Sequence, residues 1–319
     1  DNNYVDYLNN SDFISSKNIL KKELFPKLKN EKYFLVVIDN LRYDQWLTIK
    51  PEIENLFTVE KEEIYSSILP TTTQYARNSL FSGLMPLDIK NKYPEKWIDE
   101  DSNEGKNLHE DFFLDENLKR NSISGKFSYN KITNLSKGKK LLNNFNNLLQ
   151  NNLNTIVYNF VDTLSHARTD MEVIKELAED ESAYRSLTLS WFKHSPLYEM
   201  MKKMSENSCK VFLTTDHGTI RVKNPTKIVG SKETNSNMRY KVSRNLTYEK
   251  KQVMESLNPN DIMLPKNNLS SSYVFAKENN FFVYPNNYHQ FANLYNDTFQ
   301  HGGISLEEML IPYVLLGEK

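Results

Sequence analysis

Three aspartates close three apolar runs in this chain of 319 residues: Asp39 after 33–38, Asp162 after 155–161 and Asp216 after 210–215. Histidines follow two of them. In Asp162-x3-His166 both side chains share one face if the chain turns helical there. Asp216 is followed at once by His217 and Gly218, and the glycine permits a tight departure from a strand. A third histidine, His301, lies in Gln300-His301-Gly302-Gly303, where paired glycines free the backbone beside a ligand. A single strand-end Asp is more often a turn former or helix cap. Carboxylates gathered at one sheet edge, however, repel one another unless a cation sits between them. Three Asp and three His make a donor set suited to zinc, with manganese second. Six ligands exceed one tetrahedral ion. Two ions about 4 Å apart would use them all and stabilise both oxygens of an in-line phosphoryl displacement. His109, His194 and His289 lack such surroundings and read as ordinary histidines.

Such a site needs a nucleophile. Residues 69–86 carry three threonines, Thr71, Thr72 and Thr73, ahead of a helical pattern that ends in Ser82-Gly83-Leu84-Met85-Pro86. A threonine at this junction either caps the helix or presents an activated hydroxyl to a phosphate beside the helix amides.

The elements that must position these residues are short, β-rich apolar runs. The runs 33–38, 155–161 and 210–215 read as buried strands of a parallel sheet covered on both faces. Helical patterns at 139–149 and 196–204 lie between them, so a βαβ-rich α/β domain is expected. Further strands are expected at 63–68, 272–275 and 281–284.

Composition excludes several classes. The chain is 39% hydrophobic and 25% charged with a net charge of −1, which fits a folded domain rather than a disordered or globally basic one. No GxGxxG or GxxxxGK[ST] occurs. The lone Cys209 excludes an internal disulfide and a cysteine zinc cluster. With no apolar leader and no run long enough to span a bilayer, a cytoplasmic setting without membrane partners is expected. Residues 99–117 hold eight acidic side chains against Lys106, and residues 219–251 hold nine basic ones against Glu233 and Glu249. The acidic run reads as a solvated face. The basic run is either another solvated face or a surface that attracts a polyanion, with Tyr240, between Arg239 and Lys241, available to stack on a base or simply to pack.

Taken in order, Asp39, the threonine before Ser82-Gly83-Leu84-Met85-Pro86, Asp162-x3-His166, Asp216-His217-Gly218 and His301-Gly302-Gly303 resemble the alkaline phosphatase superfamily. Within it, residues 37–46 and 69–86 resemble the PglZ domain. Residues 216–225 and 238–241 are similar to PorX-type response regulators, which are linked to type IX secretion and gliding. The resemblance covers about residues 15–319. It implies an α/β, alkaline-phosphatase-like fold: a mostly parallel central sheet flanked by helices, with inserted loop or cap segments. The expected layout is a linker or helical segment over 1–30 and the PglZ domain over 31–319, with insertions near 87–135 and 219–270.

The resemblance implies one zinc on Asp162, His166 and His301, and a second on Asp39, Asp216 and His217 with the Thr73 hydroxyl as fourth ligand. Thr73 is singled out because related phosphodiesterases place the nucleophile ten residues before the glycine that matches Gly83. Arg77, one helical turn after Thr73, is expected either to clamp a substrate phosphate oxygen or to form a surface or structural ion pair, and Arg239 is expected to bind substrate. No C/S-x-P-x-R sulfatase motif is present. The implied activity is a zinc-dependent phosphodiesterase acting on cyclic or linear oligonucleotides. The implied setting is the effector domain of a longer regulator, cut from an upstream receiver, with a sigma factor and a sensor kinase as partners and a homodimer of the full-length protein. A non-catalytic zinc-stabilised signalling module and a phosphomonoesterase are the alternatives.

Overall fold

The computed structural model describes residues 3–99, 105, 107–231, 234–266, 268 and 270–319; the side chains of 166, 168–170 and 172 fall outside that description. So do parts of the two charge runs, at 100–104, 106, 232 and 233. The chain divides into two compact units. One comprises Lys21–Tyr65, Leu118–Gly218 and Leu310–Lys319; the other comprises Asp1–Leu20, Ser66–Asn117 and Thr219–Met309.

The first unit is built on a six-stranded sheet. Its strands are β1 (Tyr33–Ile38), β2 (Thr58–Ser66), β3 (Phe127–Ile132), β4 (Leu153–Tyr158), β5 (Lys210–Thr214) and a terminal strand, Leu310–Gly317. They run in the order β2, terminal strand, β5, β1, β4, β3. β1 pairs in parallel with β4 and β5, and β3 pairs in parallel with β4; the terminal strand lies antiparallel on β5. Every residue of β1 and β4 is buried, as expected for central strands covered on both faces. Register sets Val37 beside Val157 and Thr214, so the carboxyl ends of β1, β4 and β5 finish level.

Helices carry the covering layers. In Tyr43–Glu54, Trp46, Ile49 and Ile53 recur at helical spacing and are fully buried. In Pro196–Glu206, Met200, Met201 and Met204 do the same. These side chains join Val36, Ile38, Ile156 and Leu213 in one core. Each fully buried side chain contributes roughly 1.5–3 kcal/mol, so the sheet edge rests on a rigid base.

Three expected elements differ in outline, the first being the strand expected over 63–68, which runs Thr58–Ser66. The strand expected over 155–161 ends at Tyr158, and Asn159 leads into the helix Phe160–Asp170. Val161 is still fully buried, now from the first helical turn, so the apolar run continues through a change of structure. The helix expected over 139–149 is two helices, Leu135–Asn143 and Phe145–Leu148, broken at Asn144.

The second unit contains small sheets. Tyr240–Ser243 and Val253–Ser256 flank Ser272–Ala276, both antiparallel. Asn280–Val283 pairs in parallel with Asn224–Val229, and Ile220–Arg221 pairs with Phe299–Gln300. Thr73–Arg77 and Asn78–Ser82 form a helical stretch that Gly83 ends in the left-handed region, at φ 63°. No helix among the described residues is long and apolar enough to cross a membrane.

Candidate metal centre

Asp39 extends the β1 ladder, its backbone N–H donating to the Tyr158 carbonyl at 2.9 Å. Asn40 then adopts φ 63° and turns the chain away. That turn aims the Asn40 N–H at Asp216 Oδ1, at 3.3 Å, and the Leu41 N–H at Thr215 Oγ1, at 3.0 Å. The Thr215 hydroxyl donates to the His217 carbonyl at 2.9 Å, and the His217 N–H donates to Asp216 Oδ1 at 3.1 Å. Tyr65 donates its hydroxyl to the Thr215 carbonyl at 2.6 Å; burial pushes this phenol well above its ordinary range, so it stays a donor. The ends of β1 and β5 are thus stitched together by short-range bonds around two carboxylates.

The carboxylates face an imidazole. His217 Nδ1 lies 3.1 Å from the Gly218 carbonyl, which can only accept, so Nδ1 carries the proton and Nε2 the lone pair. Nε2 lies 3.6 Å from Asp216 Oδ2 and 3.9 Å from Asp39 Oδ1. These separations are long for hydrogen bonds. The ligand atoms of Asp39, Asp216 and His217 all lie within 4.8 Å of one another, and all three residues are buried. Two carboxylates so close in a dry interior are costly without a compensating positive charge. One imidazole nitrogen and two carboxylate oxygens make a donor set that a divalent ion of the zinc or manganese kind satisfies, so the residues fit such an ion.

The other expected ligands sit as follows. Asp162 is the third residue of Phe160–Asp170, in the first helical turn, rather than at a strand end. His166 is one turn further along the same helix, and its side chain lies outside the described residues. Asn40 Nδ2 donates to Ser165 Oγ at 3.3 Å, and Ser165 Oγ donates to the Asp162 carbonyl at 2.8 Å, so Asn40 braces this helix as well as Asp216. In the second unit, the Nδ1 of His301 lies 3.1 Å from the Thr71 carbonyl. Among the described residues, Asp39, Asp216 and His217 are the one group that meets the spacing of a three-ligand metal site.

Of the three candidate threonines, Thr71 is fully buried and Thr72 nearly so, while Thr73, which begins the helical stretch, keeps partial exposure. The two arginines expected to bind phosphate are instead internal. Arg77 is fully buried with its Nε 2.7 Å from Glu110 Oε1. Arg239 is fully buried with its Nη2 2.6 Å from Glu308 Oε2. These positions fit structural ion pairs rather than a clamp on substrate. Tyr240 is also buried and packs edge-on against Tyr75, so its ring is not open to a base. Lys241 is buried too, and burial pushes its ammonium down to about 7. Among the described residues, the exposed cations of the basic run are Lys223, Lys227, Arg244, Lys250 and Lys251.

Asn40 and Glu308 were missed by sequence reasoning, which weighed Thr71 as a helix cap or nucleophile and not as a partner of the His301 loop. The Asp39-Asn40 pair at a strand end carried a usable signal, because Asn tolerates a left-handed backbone. Glu308 carried none, since its partner Arg239 is 69 residues away.

Comparison with known proteins gives the family and the fold. The family model of the BREX system PglZ alkaline phosphatase-like domain matches residues 19–316. No curated protein matches the chain. Among solved structures, murine ectonucleotide pyrophosphatase/phosphodiesterase 5 is similar at 11% identity and a TM-score of 0.57, over 91% of this chain and 88% of that one. An inactive form of that protein in complex with AMP is similar at 12% identity and a TM-score of 0.51, over 91% and 88%. Phosphonoacetate hydrolase from Sinorhizobium meliloti 1021, in complex with phosphonoformate, is similar at 9% identity and a TM-score of 0.55, over 89% of each chain. At these identities the likeness is one of fold.

Proposed function

The chain belongs to the PglZ alkaline phosphatase-like domain family, and from that membership we propose that it is a metal-dependent phosphoryl hydrolase acting on phosphodiesters of the nucleotide type. The observation that carries the reading is the buried cluster of Asp39, Asp216 and His217 at the carboxyl edge of the parallel sheet, where open α/β sheets place their sites. These three residues would hold one divalent ion, zinc by preference, and Asp162, His166 and His301 a second. Ions bound there would supply Lewis acidity and positive charge for phosphate oxygens.

The chain itself supplies the nucleophile. Thr73 Oγ attacks phosphorus, the P–O bond to the leaving alcohol breaks, and that alcohol departs with a proton. Water then cleaves the Oγ–P bond and returns the free threonine with a phosphate monoester that keeps the second ester group. The partial exposure of Thr73 beside buried Thr71 and Thr72 supports this assignment. The preference for diesters is supported by fold relatives whose names include a phosphodiesterase and a complex with AMP.

Thr73→Ala should abolish hydrolysis of bis(p-nitrophenyl) phosphate while metal content stays near two ions per chain. Wild-type protein carrying its full metal content, yet inert towards aryl mono- and diesters, would instead mark a non-catalytic signalling module. Faster turnover of the monoester than of the diester would make it a phosphomonoesterase.

A further inference from the structure

The His301 loop is held by a buried network that neither metal binding nor nucleophilic attack uses directly. Thr71 sits at its centre. Its carbonyl faces His301 Nδ1, its hydroxyl donates to the Gly303 carbonyl at 3.0 Å, and the same hydroxyl accepts from the Gly302 N–H at 2.9 Å. Glu308 closes the network from the other side: Oε1 accepts from the Gly303 N–H at 2.9 Å, and Oε2 accepts from Arg239 Nη2 at 2.6 Å. Arg239 Nε also reaches Oε1 at 3.2 Å, and Nη1 donates to the Asn280 carbonyl. Thr71, Arg239 and Glu308 are all fully buried.

The network explains both glycines. Gly302 has φ 120°, where an L side chain is strained. A Cβ on Gly303 would lie 2.6 Å from the Ala276 carbonyl oxygen and 2.7 Å from Arg239 Nη2. The loop is therefore shaped to let a guanidinium approach its backbone. A buried ion pair adds little net stability over apolar packing, because desolvation offsets the attraction. What it does add is a fixed arrangement of donors and acceptors. Here the arrangement sets a tautomer: a carbonyl on Nδ1 keeps the proton there and makes Nε2 the ligating atom. It also joins the His301 loop to a residue only two positions before Thr73.

We propose that Thr71, Glu308 and Arg239 are positioning residues that lock His301 in the Nε2-ligating form and register the Thr73 segment against it. The proposal rests on the reading of His301 as a metal ligand. The test uses Thr71→Val, which keeps volume and loses the hydroxyl, and Thr71→Ser, which restores it. Calorimetric zinc titration of metal-stripped protein should show two ions for wild type. Thr71→Val should bind one of them about 10–100-fold more weakly and the other normally, and Thr71→Ser should recover. Long-range 15N–1H spectra of the metal-free proteins should show His301 protonated on Nδ1 in wild type and Thr71→Ser, and a tautomer mixture in Thr71→Val. Unchanged zinc affinity with an unchanged tautomer in Thr71→Val would overturn the proposal. If wild type binds no ion through His301, the hydrolase reading fails, while the metal-free spectra still decide whether the tether exists.

Discussion

The two regions that hold metal-capable histidines are built by different means. Around His217, the donors and acceptors are neighbours in sequence or partners across adjacent strands: Asn40, Leu41 and Thr215 serve Asp216 and His217 through a sheet edge. Around His301, placement depends on side chains far apart in the chain, with Thr71, Arg239 and Glu308 meeting in a dry pocket. The first region gathers like charges and fits a cation. In the second, the charges that hold the loop, Arg239 and Glu308, balance each other. A metal site resting on a sheet edge needs few specialised residues, whereas one carried by a loop must bring its scaffold with it.

That contrast can be broken most severely at the ion pair. Arg239→Leu leaves Glu308 buried without its cation and should cost about 3–5 kcal/mol of stability, read as a fall in Tm with or without zinc. In the His217 region the same kind of change should do the reverse. Asp216→Asn removes one of two adjacent buried carboxylates, so the metal-free protein should be no less stable. Its gain in stability on adding zinc should fall short of the wild-type gain by the share of this one ion, about 2.7 kcal/mol at an ion concentration one hundred times Kd. A loss of stability in metal-free Asp216→Asn equal to that of Arg239→Leu would erase the distinction.

Lys241 sharpens the comparison from within the second region. It lies two residues from Arg239 and is equally buried, but its described partners are the Asn235 carbonyl, at 2.8 Å, and the ring of Tyr284, at 4.6 Å. Its folded-state value is lowered from 10.5 to about 7, so between about pH 7 and 10.5 the unfolded chain binds the extra proton. Stability should therefore rise with pH across that window, with the full cost of the buried ammonium present below about pH 7. Lys241→Met should flatten the rise and stabilise the protein at pH 7 by about 1–3 kcal/mol, measured by denaturant titration across the window. A flat profile in wild type would contradict it.

The smallest expected effect concerns Asn40. Asn40→Gly keeps φ 63° accessible and keeps the backbone donor to Asp216, losing only the bond to Ser165, so it should cost about 1 kcal/mol or less. Asn40→Ala should cost about 1–2 kcal/mol more through backbone strain. Equal stabilities of the two variants would show that the turn is not held in the left-handed region.

The same division governs what could be read in the sequence. β1 and β5 are legible because fully buried parallel strands read as unbroken apolar runs, and Asp39 and Asp216 stand where those runs stop. The end of β4 was misread because Val161 belongs to the same core from a helix, so hydrophobicity alone gave no sign of the break at Asn159. Arg77, Arg239 and Tyr240 looked like groups for a ligand because charge and aromaticity are visible in a sequence and burial is not. Glu110 and Glu308, which claim the two arginines, are separated from them by 33 and 69 residues, and no local pattern encodes such pairings.

Phosphoryl transfer at this sheet edge requires Asp39, Asp216 and His217 to bind a divalent ion. An anomalous difference map, collected at the zinc edge from crystals of the intact protein soaked in zinc, tests this directly. The prediction is a strong peak between Asp39, Asp216 and His217 Nε2, within coordination distance of all three. No peak at that position with zinc in excess, while zinc appears elsewhere in the same map, would contradict it.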